Sequence, residues 1–109
     1  MSDEKRYERR LVDRVKMLGG IAMKLASPWH DGKLDRLLIM PAGITWFVEV
    51  KSRNKNPDPL QAVFIKELEK RSHRWVVINS DEKLETFLIY LENEVRSLSI
   101  PGIFNKAHH

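Results

Sequence analysis

A single α/β domain with the element order α-β-β-β-α-β-α is the fold class this sequence predicts. Three observations carry that reading. Apolar residues recur at three- and four-residue spacing in three stretches, which is helical periodicity, and cluster at strand length in four others. Gly, Pro, Asp and Ser punctuate the joins. The chain of 109 residues has room for one core of sheet plus helices and not for two. No internal repeat, low-complexity segment or interior linker divides it, so residues 1–105 are expected to form one domain. Residues 106–109 are expected to be a disordered tail, with His108-His109 read as a purification-tag remnant and given no chemistry.

The elements follow in order. Asp3 to Leu18 predicts a helix, because Tyr7, Leu11, Val15 and Leu18 fall on one face, Ser2 or Asp3 can cap it and Gly19-Gly20 stops it. Ile21 to Leu25 predicts a short strand with Ile21, Met23 and Leu25 on one face and Ala22 and Lys24 on the other. A loop from Ser27 to Gly32 precedes a second strand, Lys33 to Met40. The turn Pro41-Ala42-Gly43 leads to a third strand, Ile44 to Lys51, giving a hairpin-like pair. After the polar, basic loop Ser52 to Pro57, Asp58 caps a helix with Pro59 in its first position. That helix should run to about Arg71 with Leu60, Phe64 and Leu68 inward. Trp75 to Ile78, wholly apolar, predicts a buried fourth strand. Ser80 or Asp81 caps a last helix whose Leu84, Phe87, Leu88, Leu91, Val95 and Leu98 make a continuous stripe.

Composition narrows the function classes. Hydrophobic residues are 42% and charged residues 31%, ordinary for a folded globular protein. No run reaches the roughly 18 apolar residues a membrane span needs, and the charged start Met-Ser-Asp-Glu-Lys-Arg is unlike a signal peptide. Zero cysteines exclude disulfides and thiolate metal sites and fit a cytoplasmic location. The net charge of +4 is unevenly spread. Residues 1–74 carry 16 Lys/Arg against 10 Asp/Glu, whereas residues 75–109 carry 3 against 5. A basic N-terminal two thirds favours a polyanionic partner, nucleic acid before membrane, since no basic amphipathic helix with an aromatic opposite face accompanies it.

The candidate chemistry lies in Trp46-Phe47-Val48-Glu49-Val50-Lys51. Alternation along the strand sends Glu49 and Lys51 to one side and Val48 and Val50 to the other, so an acid and an amine share a strand that otherwise prefers burial. An isolated Glu-x-Lys is most simply an edge-strand ion pair. Here Asp35 lies on the preceding strand, and two carboxylates with a lysine are the groups that bring a hard divalent cation and a phosphodiester together. Gln61 stands two residues into the next helix, and Glu8 sits on the margin of the first helix's apolar stripe. By default Gln61 would be a solvated first-turn residue and Glu8 an exposed helical acid.

Asp35, Glu49, Lys51 and Gln61, in that order on strand, strand, strand and helix, resemble the PD-(D/E)xK nuclease pattern. Gln61 together with Glu8 narrows the resemblance to the VRR-NUC family, over nearly the whole chain from Glu8 to the last helix. The resemblance implies a restriction-endonuclease-like three-layer sandwich, with helices flanking a central mixed sheet. It implies a Mg²⁺- or Mn²⁺-dependent DNA endonuclease acting on branched DNA such as four-way junctions, forks or flaps, and it implies a homodimer. Residue by residue, it makes Glu8, Asp35, Glu49, Lys51 and Gln61 catalytic, with Asp35, Glu49, Glu8 and the Val50 carbonyl as metal ligands. It also makes Lys24 the basic residue before the loop. Further DNA contacts are expected from Arg6, Arg9, Arg10, Lys33, Arg53 and Lys55. One departure is visible: the family's Gly-x-Pro-Asp is here Gly32-Lys33-Leu34-Asp35, which alters loop geometry more than chemistry.

Competing sites fail more simply. His30-Asp31 is a single loop pair, no Ser or Cys nucleophile has a paired His, and no glycine-rich phosphate loop is present. Trp46 and Trp75 are expected in the core, and Trp29 is the one tryptophan placed for a DNA contact. Ile100, Ile103 and Phe104 could supply a dimer contact or pack onto their own core. A catalytically idle nucleic-acid-binding module is the competing reading; it would keep the basic first helix but would not need Asp35, Glu49 and Lys51 together.

Overall fold

A computed structural model describes residues 2–25 and 34–98. Its elements are α1 (Asp3–Met17), β1 (Ile21–Lys24), β2 (Arg36–Ile39), a 3-10 turn (Pro41–Gly43), β3 (Thr45–Val50), α2 (Pro59–Lys70), β4 (Trp75–Ile78) and α3 (Asp81–Leu98), the predicted order. The four strands form one mixed sheet in the order β1-β2-β3-β4. The first three are antiparallel neighbours and β4 runs parallel to β3. The loop with Trp29, His30 and Asp31, the expected DNA contact Lys33, the apolar residues Ile100, Ile103 and Phe104, and the 106–109 tail all lie outside the described residues.

Two cores lie on opposite faces of this sheet. The larger joins Tyr7, Leu11 and Val15 of α1 and Leu84, Phe87, Leu88, Leu91 and Val95 of α3 to Leu38, Val48 and Val50. Full burial of each such aliphatic side chain contributes about 1.5–3 kcal/mol, so this face carries most of the stability. The smaller packs Ile65 and Leu68 of α2 against Leu34 and the partly buried Phe47 and Val77. Leu34, which replaces the family proline, is fully buried there. The helix ends follow the sequence signals. Ser2 Oγ accepts from the Lys5 N–H, Gly19 takes φ +86° just past α1, and Asp58 with Gln61 forms a reciprocal capping box on α2.

Leu98, expected on the buried stripe of α3, is exposed, and three further expectations change. On α2 the inward residues are Gln61, Ile65 and Leu68, while Leu60 is 57% exposed. The buried stripe starts one residue later than apolarity suggests, because a polar side chain occupies its first position. On β1 the supposed inner face is the outer one. Ala22 packs on the larger core, whereas Ile21 and Met23 lie exposed on the α2 side, at the end of the sheet remote from β3 and β4, where α2 packs. On β4 only Ile78 is buried, and Trp75, Val76 and Val77 are half-buried because β4 is the outer strand of the sheet. Trp46 on β3 and Trp75 on β4, both expected in the core, are half-buried, and both line a cavity of about 610 Å³ with Phe87 and Tyr90.

Candidate active site

The C-terminal end of β3 and the segment entering β2 meet where α2 begins. Glu49 pairs in register with Val77, points to the α2 side of the sheet and is only 2% exposed. Four contacts surround its carboxylate. Oε1 accepts the Asp35 N–H at 3.0 Å, Oε2 lies 3.1 Å from Lys51 Nζ, the Gln61 side chain hydrogen-bonds to it, and the Asp35 carboxylate stands nearby. Asp35 sits in a bend just before β2, and its Oδ2 accepts the Val50 N–H at 3.3 Å. The two acids are thus laced together through each other's strand, one through the backbone N–H of the other.

Burial is the first cause of their electrostatics. It pushes the Glu49 carboxyl above the ordinary carboxylate range, and the neighbouring Asp35 charge adds to this against the opposing hydrogen bonds from Lys51 and Gln61. Asp35 is likewise raised, by burial first and then by the charges of Glu4 and Glu8, with the Val50 N–H pulling the other way. Burial pulls the Lys51 ammonium down, but its hydrogen bond to Glu49 and the nearby acids outweigh that, leaving it above its usual value. At neutral pH Lys51 is therefore a firmly held cation beside two crowded carboxylates.

Gln61 explains its own burial. Its Oε1 accepts from the Asp58 N–H at 3.1 Å, completing the cap of α2, while its side chain also hydrogen-bonds to Glu49. One side chain thus ties the start of α2 to the end of β3. Glu8 is placed differently. Its Oε2 lies 3.4 Å from Arg36, and among the described residues no three acidic or histidine side chains gather closely enough to share an ion. Glu8 faces the site closely enough to act on Asp35 through its charge, yet the contact it makes is with an arginine. Lys24 stands opposite Arg36 across the β1–β2 pair, on the α1 side of the sheet and not on the side of Glu49.

The basic residues expected on DNA divide sharply. Arg6 pairs with Asp81, Arg10 with Glu85 and Arg14 with Glu92, so three of the α1 arginines form rungs to α3. The partner numbers rise together, hence the two helices run parallel. Arg53 pairs with Asp3 and Asp81. Arg9 and Lys55 have no carboxylate partner among the described residues, which sets them apart from Arg6, Arg10 and Arg53. A sequence signal for the rungs existed: the four-residue spacing of Arg6, Arg10 and Arg14 against Asp81 and Glu85. Arg36, buried to 15% side-chain exposure next to Asp35, escaped the sequence reading, because an arginine following an acid in a strand has no distinguishing pattern.

No family model matches the chain. A phage protein is more informative: "Putative nuclease p44" of Acyrthosiphon pisum secondary endosymbiont phage 1 is 37% identical over 79 residues, covering 72% of this chain and 85% of its own length. A solved structure described as a VRR_NUC domain superposes with a TM-score of 0.76 at 32% identity, covering 83% of this chain and 98% of that one. The chain belongs to the VRR-NUC nuclease family. Membership accounts for the mixed four-stranded sheet with flanking helices and for the element order. Asp35, Glu49, Lys51 and Gln61, distant in sequence, converge at one end of the sheet.

Proposed function

We propose that this VRR-NUC protein is a Mg²⁺- or Mn²⁺-dependent DNA endonuclease that hydrolyses phosphodiester bonds in branched DNA such as four-way junctions, forks or flaps. The observation that carries this is Glu49. A carboxylate 2% exposed, crowded by a second acid and paired to a lysine, costs folding stability, and an idle binding module would have no use for it.

The donor set fits a hard divalent cation. Asp35 and Glu49 offer carboxylate oxygens, burial first and neighbouring acids next raise their affinity for protons and a cation would offset both, and Mg²⁺ needs only one or two carboxylates besides water and phosphate. The Val50 carbonyl is the further ligand the family suggests, and Glu8 would join only by leaving Arg36. When bound, such an ion supplies charge neutralisation on the phosphodiester and a more acidic water. The chain's own residues do the rest. Lys51, held as an ammonium, orients the attacking water and offsets negative charge building on the phosphorus oxygens. Gln61 keeps the Glu49 carboxylate in place, and the Asp35 N–H fixes one of its oxygens.

Labelled duplex, fork and four-way junction incubated with the pure protein, with and without Mn²⁺, test the reading. Metal-dependent cleavage with preference for the branched substrates is expected. Absence of cleavage on all three with metal present would overturn it.

A symmetric junction needs two cuts, so we further propose that two copies act together. The exposed Ile21, Met23 and Ile39 form an apolar patch on the β1–β2 face, where a second copy could pack. Light scattering at micromolar concentration is expected to give twice the 12.8 kDa chain mass. A strictly monomeric species would restrict the enzyme to nicking or to single flaps. Among the described residues no helix is long and apolar enough to cross a membrane.

A further inference from the structure

The cations of α1 sort by helix face. Arg6, Arg10 and Arg14 each pair with an acid of α3, whereas Lys5 and Arg9, one turn apart on another face, have no side-chain partner among the described residues. Lys5 and Arg9 line a cleft of about 340 Å³ together with Glu8, Val12, Asp13 and Arg36. That volume is at the small end of ligand sites, about 300–1,000 Å³, and suits a compact anion with its hydration.

Arg36 forms one wall of the cleft and is held rigidly. Its Nη1 donates to the Ala22 carbonyl at 3.0 Å, its Nη2 makes only a long 3.4 Å contact with Glu8, and its Nε is buried with no hydrogen-bond partner among the described residues. A guanidinium carries five N–H donors, so this one is anchored but under-satisfied. Lys24 lies directly opposite Arg36 in the antiparallel register, also without a side-chain partner among the described residues. Like charges placed opposite on one sheet face repel, and Glu8 alone does not balance two of them. Glu8, which lines the cleft, stands near enough to Asp35 of the proposed catalytic cluster to act on it through its charge, so the cleft opens near that cluster from the α1 side.

We propose that Arg36, with Lys5, Arg9 and Lys24, forms a subsite for a DNA backbone phosphate neighbouring the one that is cut. Arg36 Nη2, engaged only by the long approach to Glu8, is the donor left for a phosphate oxygen, and the three flexible cations around it add charge without geometric demand. The subsite rests on the nuclease reading for its substrate but not for its measurement.

Binding of a labelled duplex is measured by fluorescence anisotropy in EDTA between 50 and 200 mM salt, where no cleavage intervenes. Arg36→Gln is expected to weaken binding and lower the salt slope by about 0.9, the value for one phosphate contact on duplex DNA. Lys5→Gln combined with Arg9→Gln should give a similar loss. All three changes together should cost less than the sum, because they share one phosphate. Arg71→Gln, removing an exposed cation already paired with Glu67 on α2, is the control for general loss of charge. Wild-type affinity and slope in the Lys5/Arg9 variant, or losses no larger than that of Arg71→Gln, would overturn the subsite. If Arg36→Gln does not fold, the exposed Lys5/Arg9 pair still decides the question. A protein that shows these slope losses yet cuts no DNA with metal would sink the nuclease reading and leave the subsite standing.

Discussion

Asp35→Asn is expected to abolish cleavage and, in the same protein, to raise the melting temperature. The loss of activity follows from removing one of the two carboxylates that converge at the end of β3, and Glu49→Gln should do the same. The gain in stability follows from the direction of the carboxyl shifts. Asp35 and Glu49 are both raised, by burial first and by neighbouring acids next, so the folded protein holds their protons more tightly than the unfolded chain. Protonation therefore favours the fold. That contribution is complete below the ordinary carboxylate range and is lost as pH rises through the raised values, so near neutrality the ionised pair works against folding. Asparagine keeps an oxygen for the Val50 N–H and removes the charge. Asp35 remains partly exposed and screened, so the expected gain is modest, a rise of a few degrees at most. Thermal melts over a pH series check it. The gain should be present at neutral pH, shrink as pH falls and wild-type Asp35 takes up its proton, and narrow again when Mg²⁺ is added to the wild type. Wild-type cleavage in either neutral variant would remove both residues from the site. A neutral-pH loss of stability in Asp35→Asn would show that its hydrogen bond outweighs the repulsion.

Lys51→Ala should lower the cleavage rate by roughly two to four orders of magnitude, the range for losing a charge-stabilising or proton-handling group. The structure adds a consequence. Lys51 is the counter-charge of a carboxylate 2% exposed, at 3.1 Å, so its removal leaves Glu49 with the Gln61 side chain and the Asp35 N–H but no cation. Glu49 should then hold its proton still more tightly, and the variant's loss of stability should grow with rising pH and vanish under acid conditions. Single-turnover cleavage at saturating protein separates the rate from binding. A variant that cuts at the wild-type rate but melts far lower would make Lys51 a structural ion-pair partner and nothing more.

Much of the site was legible in the sequence. Glu49 and Lys51 share a strand face by simple alternation, and the capping signals at Asp58, Pro59 and Gln61 put the helical amide at the right end of α2. The fate of the arginines was not. Arg6, Arg10 and Arg53 looked like a phosphate-reading surface because a count of charges on one helix carries no information about the opposite helix. Folding brings Asp81 and Glu85 across from α1 and matches them. Arg36 was invisible for a related reason: its side chain is largely covered between α1 and β1, and that cover depends on those elements as much as on β2.

The sequence by itself determined the element order, the helix boundaries and the pairing of an acid and a lysine on one strand face. Those follow from local periodicity, capping and spacing, which act over a few residues. Only the tertiary structure decided which face of each strand is covered, which cations are neutralised, and that the contact Glu8 makes is with Arg36. These depend on contacts between residues far apart in the chain. Such contacts include the 3.0 Å bond from the Asp35 N–H to Glu49 and the 3.4 Å approach of Arg36 to Glu8, and only the packed sheet and helices bring them into being.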